Sequence, residues 1–119
     1  MSRLNEKSCS ACRIDSPLLE DAEIQVALLE LPEWAVENVA GVKQLTRLYR
    51  FKNFVQALEF TNMVGELAEE HGHHPALVTE WGRVKVSWWT HKIHGLHEND
   101  VIMAAKTEQL FSVRFAVES

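Results

Sequence analysis

All six histidines of this 119-residue chain fall between His71 and His97, inside a stretch that runs from Glu69 to Asp100. It reads Glu69-Glu70-His71-Gly72-His73-His74-Pro75 and continues through Trp81 and His91 to Asp100. Histidine is the side chain whose ordinary pKa, roughly 6.5, lets it give and take protons near neutrality. Such a cluster could do acid–base chemistry, bind a metal or switch with pH. His73 and His74 lead into a proline, which biases the residue before it away from the helical region. In an extended segment the two imidazoles diverge, so one can reach a reacting atom while the other binds or orients. A polar loop with incidental histidines is the plainer alternative, and His91, at the end of another element, weighs against it.

A metal is the next rival. His91-x-x-His94-x-x-His97 has a spacing that zinc sites use. If His91 ends a strand, Gly95 lies in the following turn and His97 caps a helix, these three rings diverge, and adjacent His73 and His74 rarely serve one ion. No metal is expected. Asp100 is explained by a capping box alone, as a carboxylate at the third helical position. Trp81 and Trp89 suit packing, although a flat heteroaromatic substrate would want an aromatic wall. Glu69 and Glu70 fall in the last turn of a helix, where the dipole disfavours anions, which suggests that at least one of them is placed for a partner.

The elements that must hold these residues are legible in order. Ile24, Ala27, Leu28 and Leu31 have amphipathic-helix spacing over Glu20–Leu31, with Glu20, Asp21 and Glu23 in the first turns and Pro32 as the stop. Trp34–Val39 and Lys43–Phe51 read as strands around Ala40-Gly41, with Leu45, Tyr49 and Phe51 on one face and Arg47 breaking the alternation. Asn53 with Gln56 opens a helix that ends at Gly72 and is apolar over a wide arc. Ala76–Glu80 and Val84–Thr90 form a second hairpin about Trp81-Gly82-Arg83. Val84, Val86 and Trp88 point one way, while Lys85, Ser87, Trp89 and a strand-terminal His91 point the other. A last helix starts near Glu98 with His97 as N-cap and Asp100 at the third helical position, and buries Val101, Ile102, Ala105 and Phe111. The order α-β-β-α-β-β-α implies an α+β domain, a four-stranded antiparallel sheet with three helices on one face. On this plan the site histidines lie at loop and strand ends, outside the core.

Composition narrows the function. A chain of this length, 46% hydrophobic and 24% charged, suits one ordinary domain. A net charge of −5 without a basic block argues against direct nucleic-acid binding. Apolar runs are too short for a membrane span and for a signal-peptide core, so the expected location is cytoplasmic. Residues 1–17 are unpatterned and read as a flexible leader to a single domain over 18–119, dispensable for folding and catalysis. Cys9 and Cys12 within the leader could be half a zinc site or a redox pair, but without a second cysteine pair a reduced tail is the expected state.

At these residues the sequence resembles the pterin-4a-carbinolamine dehydratase family, and its bacterial members more than its animal ones. The pattern Glu69-x-x-x-His73-His74-Pro75, Trp81, His91, Asp100 carries the resemblance. It extends through Leu31-Pro32-x-Trp34, Phe51-Lys52-Asn53-Phe54, Trp88-Trp89 and Gly95-Leu96, over about residues 19–112. The resemblance implies a cofactor-free hydro-lyase that converts 4a-hydroxytetrahydropterin to quinonoid dihydropterin and water, recycling the tetrahydrobiopterin of phenylalanine hydroxylation. By position it makes His73 and His91 the acid–base residues and His74 the pterin-binding histidine. Glu69, Pro75, Trp81 and Asp100 become substrate-site residues, with Glu69 steadying a histidine and Asp100 fixing the loop of His91. His94 and His97 depart from the family pattern and are expected to face solvent. The resemblance further implies a homodimer or homotetramer and a link to an aromatic amino acid hydroxylase. A dimerisation cofactor for a transcription factor, or a same-fold pterin enzyme of molybdenum-cofactor metabolism, stays open.

Overall fold

The computed structural model describes residues 18–115. Its elements are α1 (Asp21–Leu28), β1 (Ala35–Val39), β2 (Val42–Arg50), α2 (Phe54–His71), β3 (Ala76–Glu80), β4 (Arg83–Trp88), a short 3-10 turn (His91–Ile93) and α3 (Glu98–Arg114). The sheet is antiparallel in the order β1-β2-β4-β3, so β1 and β3 are its edge strands among the described residues. This is the expected α+β order.

Strand alternation selects the inner face. Val36, Leu45 and Trp88 form one cross-strand row, Arg47, Val86 and Leu77 the next, and Tyr49, Val84 and Thr79 the third. Helices α2 and α3 pack on this face through Ala57, Phe60, Val64 and Ala68 of α2 and Val101, Met103 and Ala104 of α3, while α1 contributes Ile24. Tyr49, Phe60 and Phe111 form an aromatic cluster with ring centroids 4.7 to 5.9 Å apart. The first hairpin closes with Ala40 and Gly41 both at positive φ (52° and 83°), the two-residue turn that matches strand twist.

Helix α1 is shorter than its apolar spacing implies. A capping box between Glu20 and Glu23 starts it. Past Leu28 the bonds tighten to i→i−3, from Leu29, Glu30 and Leu31 to Val26, Ala27 and Leu28, as the chain runs out of helix ahead of Pro32. Leu31 is still buried, so periodicity identified the core residue but not the helix end.

Arg47 does not break the inner face of β2. Its guanidinium lies 4.2 Å from the centroid of the Tyr49 ring and pairs with Oε1 of Glu108 on α3. The same oxygen accepts from the Tyr49 hydroxyl (2.7 Å) and from Nε1 of Trp34 (2.9 Å). A cation belongs in this core because an anion from α3 meets it there, which single-strand alternation does not reveal.

Burial first, and then the Glu108 charge and hydrogen bond, hold the Tyr49 phenol far above its ordinary pKa of 10.0, against a smaller opposing pull from Arg47. Tyr49 is the single tyrosine of the chain. The unfolded phenol ionises near pH 10.0 and the folded one does not, so this contribution to stability is complete below that pH and is lost as pH rises above it. The parent should therefore lose stability relative to Tyr49→Phe by up to about 1.4 kcal/mol per pH unit above pH ~10. Urea titrations of both proteins from neutral pH to pH ~11 measure the slope; parallel curves would show that the phenol ionises in place.

Candidate active site

The site begins where α2 stops. Gly72 takes the left-handed conformation (φ 60°). The amide of Gly72 donates to the carbonyl of Glu69, and that of His73 to the carbonyl of Ala68. This is a Schellman-type closure, which satisfies the orphan carbonyls of the last turn and sets the direction in which the chain leaves. His73 follows at once, so the helix end fixes its backbone.

The His73 ring is 7% exposed and stacks on Trp88, with centroids 5.8 Å apart and planes 10° from parallel. Its Nε2 lies 2.6 Å from Oδ1 of Asp100, a carboxylate with no exposed surface. The other oxygen, Oδ2, accepts from the Thr90 hydroxyl at 2.7 Å and from the His97 amide at 2.9 Å. The His97 amide can only donate to this carboxylate, and an ionised carboxylate only accepts, so Nε2 of His73 is the donor to Oδ1. Beneath the stack, Nε1 of Trp88 donates to the Thr107 hydroxyl at 3.1 Å, which fixes the indole plane.

His74 faces the other way. It is exposed, and its Nε2 lies 2.5 Å from Oε2 of Glu69, also exposed. Of the two glutamates at the end of α2, Glu69 thus has the partner its position called for. Pro75 then leads directly into β3.

His91 does not end a strand. Strand β4 stops at Trp88, and Thr90 forms an isolated bridge with Gly95 that closes the 3-10 turn His91–Ile93. The chain leaves the sheet there because the Thr90 hydroxyl is drawn to Asp100 while its backbone pairs with Gly95. His91 is exposed on this turn, its ring 4.4 Å from that of Trp89. Asp100 therefore contacts His73 directly and the loop of His91 through Thr90.

His97 departs from the expected solvent-facing placement. It is 8% exposed, and as the N-cap of α3 its Nδ1 accepts from the Asn99 amide at 3.0 Å. His94 is exposed in the left-handed conformation (φ 53°). Among the described residues, no three His, Cys, Asp or Glu side chains come together as a group that could hold a metal ion. Cys9 and Cys12 lie outside the described residues.

Trp81 is not brought to this cluster. It is 71% exposed at the β3–β4 turn, whereas the histidines lie at the opposite end of the same hairpin, where Ala76 pairs with Ser87. Four residue steps at about 3.3 Å separate the two ends by more than ~13 Å. The aromatic rings beside the histidines are Trp88 and Trp89. Thr90 and Trp88 were not among the expected site residues. For Trp88 the inward alternation of β4 was a signal of burial, but nothing in the sequence pairs Thr90 with Asp100.

Fold and site together define a small α+β domain with a histidine–carboxylate centre at one end of its sheet. The family model for pterin 4 alpha carbinolamine dehydratase matches residues 17–110. A curated relative from Syntrophotalea carbinolica, named "Putative pterin-4-alpha-carbinolamine dehydratase", is 56% identical over 110 residues, covering 92% of this chain and 98% of the relative. One of the same name from Marinobacter nauticus is 57% identical over 111 residues, covering 93% and 100%. The crystal structure of the transcriptional coactivator/pterin dehydratase from Brucella melitensis superposes with a TM-score of 0.71 at 33% identity, over 79% of this chain and 98% of that one. The chain belongs to the pterin 4 alpha carbinolamine dehydratase family.

The burial of His73 and Asp100 corrects the expectation that every site histidine lies outside the core. Asp100→Ala strands three donors and should cost about 3 kcal/mol, and His73→Ala about 2 kcal/mol. His74→Ala and His91→Ala, both at exposed positions, should stay within about 0.5 kcal/mol of the parent. Urea midpoints at constant m-value test the ranking; a His91→Ala loss equal to that of His73→Ala would contradict it.

Proposed function

We propose that this chain is a hydro-lyase acting on 4a-hydroxytetrahydropterin, which it converts to quinonoid dihydropterin and water. The observation that carries the proposal is the Asp100 carboxylate, bonded to His73 on one side and to the residue preceding His91 on the other. In the reaction the carbinolamine C–O bond breaks, the leaving oxygen gains a proton, and the neighbouring ring nitrogen loses one as the C=N bond forms. Two imidazoles presented to one flat ring can serve both transfers, each contributing typically about 10²- to 10⁴-fold.

In this reading His73 and His91 exchange the protons. Asp100 holds His73 in a single tautomer, with Nδ1 as the working nitrogen. His74, steadied by Glu69, binds and orients the pterin, and Trp89 lines its flat face. Pro75 keeps the pair extended. Trp81, at the far turn, has no part in binding within the same subunit. The physiological role that follows is recycling of the pterin cofactor of an aromatic amino acid hydroxylase, in the cytoplasm. No metal or cofactor enters the scheme.

Kinetics on the folded fraction separate the roles. His73→Ala and His91→Ala should each lower kcat by about 10²-fold or more, and the double change should approach the uncatalysed rate with losses that need not add. His74→Ala should chiefly raise KM, because it removes an interaction made equally in ground and transition states. Stopped-flow loss of 4a-hydroxytetrahydropterin absorbance provides the assay. A His74→Ala variant without kcat, beside a His73→Ala variant near the parent rate, would exchange the two roles.

The chain should also self-associate. Among the described residues the outer edges of β1 and β3 are unpaired, and the helix-free face of the sheet exposes Val39, Leu48 and Val78. Open edges of this kind are usually covered or blunted, and a homodimer or homotetramer would cover them. Sedimentation equilibrium at micromolar concentration should give a multiple of 13.6 kDa; the monomer mass would refute it.

A further inference from the structure

We propose that Thr90 is a positioning residue that holds the two acid–base histidines in register through the Asp100 carboxylate. The inference rests on the dehydratase reading above and adds a residue to it. Thr90 is 2% exposed and uses all its polar groups on the site. Its hydroxyl donates to Oδ2 of Asp100 at 2.7 Å. Its amide donates to the Gly95 carbonyl at 2.8 Å, and its carbonyl accepts from the amides of Ile93 (3.3 Å) and Gly95 (3.4 Å). The first set fixes the carboxylate, and the second closes the turn on which His91 stands.

The division of labour on Asp100 makes the hydroxyl matter. Among the described residues, Oδ1 is bonded by His73, whereas Oδ2 is shared by Thr90 and the His97 amide. Two donors on Oδ2 prevent the carboxylate from turning about its own axis, and that keeps Oδ1 aimed at Nε2. With the hydroxyl gone, a single backbone amide at the start of α3 is left to hold it. The backbone pairing of Thr90 with Gly95 meanwhile closes the turn on which His91 stands.

The test compares Thr90→Val, which keeps the shape and removes the donor, with Thr90→Ser, which keeps the donor. For Thr90→Val we expect kcat to fall about tenfold with KM within about twofold, since positioning acts on the proton-transfer step. Thr90→Ser should recover kcat to within about threefold of the parent. A second readout does not depend on turnover: the Nε2–H proton of His73, identified by its loss in His73→Asn, should be a slowly exchanging downfield resonance in the parent and in Thr90→Ser. It should exchange faster or move upfield in Thr90→Val. The proposal is overturned if Thr90→Val leaves kcat and the resonance unchanged. Equal impairment of both variants, or a loss of kcat that merely follows the unfolded fraction in urea, also overturns it. If the parent itself fails to dehydrate the pterin, the dehydratase reading fails, and the resonance alone decides the positioning role.

Discussion

A carboxylate without solvent contact must find its hydrogen-bond partners inside the protein, because a buried and unpaired charge is among the costliest defects a fold can carry. Asp100 meets that demand with a histidine ring, a threonine hydroxyl and a backbone amide. Each donor comes from a different segment: the end of α2, the exit from β4 and the start of α3. The constraint that places the anion therefore also assembles the site, since no two of these segments can separate without stranding it.

Helix α3 carries a second node of the same kind. Eight residues after Asp100, or about 12 Å along the axis, Glu108 gathers Trp34, Arg47 and Tyr49 from the β1–β2 side of the sheet. One anion ties the helix to the histidine end and the other to the aromatic core. Between them Thr107 accepts from Trp88, whose ring lies under His73. The polar groups of this face thus join the site to the core around Tyr49 through one helix. This explains how the inner face of a small sheet accommodates an arginine, a tyrosine hydroxyl and a histidine beside its valines.

Much of this was legible in the residues, for identifiable reasons. Alternation and 3.6-residue spacing depend on local geometry, so the strands, the helices and the cap residues Asn53, Gly72 and His97 could be read directly. The seven candidate site residues from Glu69 to Asp100 were likewise marked by type and spacing, and the family by the full pattern. What could not be read was pairing across sequence distance. The position of Arg47 is decided by Glu108, and the end of β4 by Asp100, each through a partner that no local window contains. The expectation for His97 failed differently: its N-cap position was foreseen, but not that the first turn of α3 is buried against the sheet. Trp81 shares the motif with the histidines, yet the hairpin that joins them is also the spacer that keeps them apart.

The opposite directions of His73 and His74 have a consequence for motion. The contacts that hold His73 are buried, with Asp100 on one side and Trp88 beneath the ring, and buried contacts of this kind open less readily than surface ones. His74 and Glu69 meet in solvent, where a surface pair is worth about 0–1 kcal/mol, and they can part and re-form many times while the fold stays intact. Two neighbouring residues thus combine a fixed wall with a movable one. Under the proposed function, a pterin would be admitted and released by rearranging the outer histidine alone, without disturbing the carboxylate on which the inner one depends.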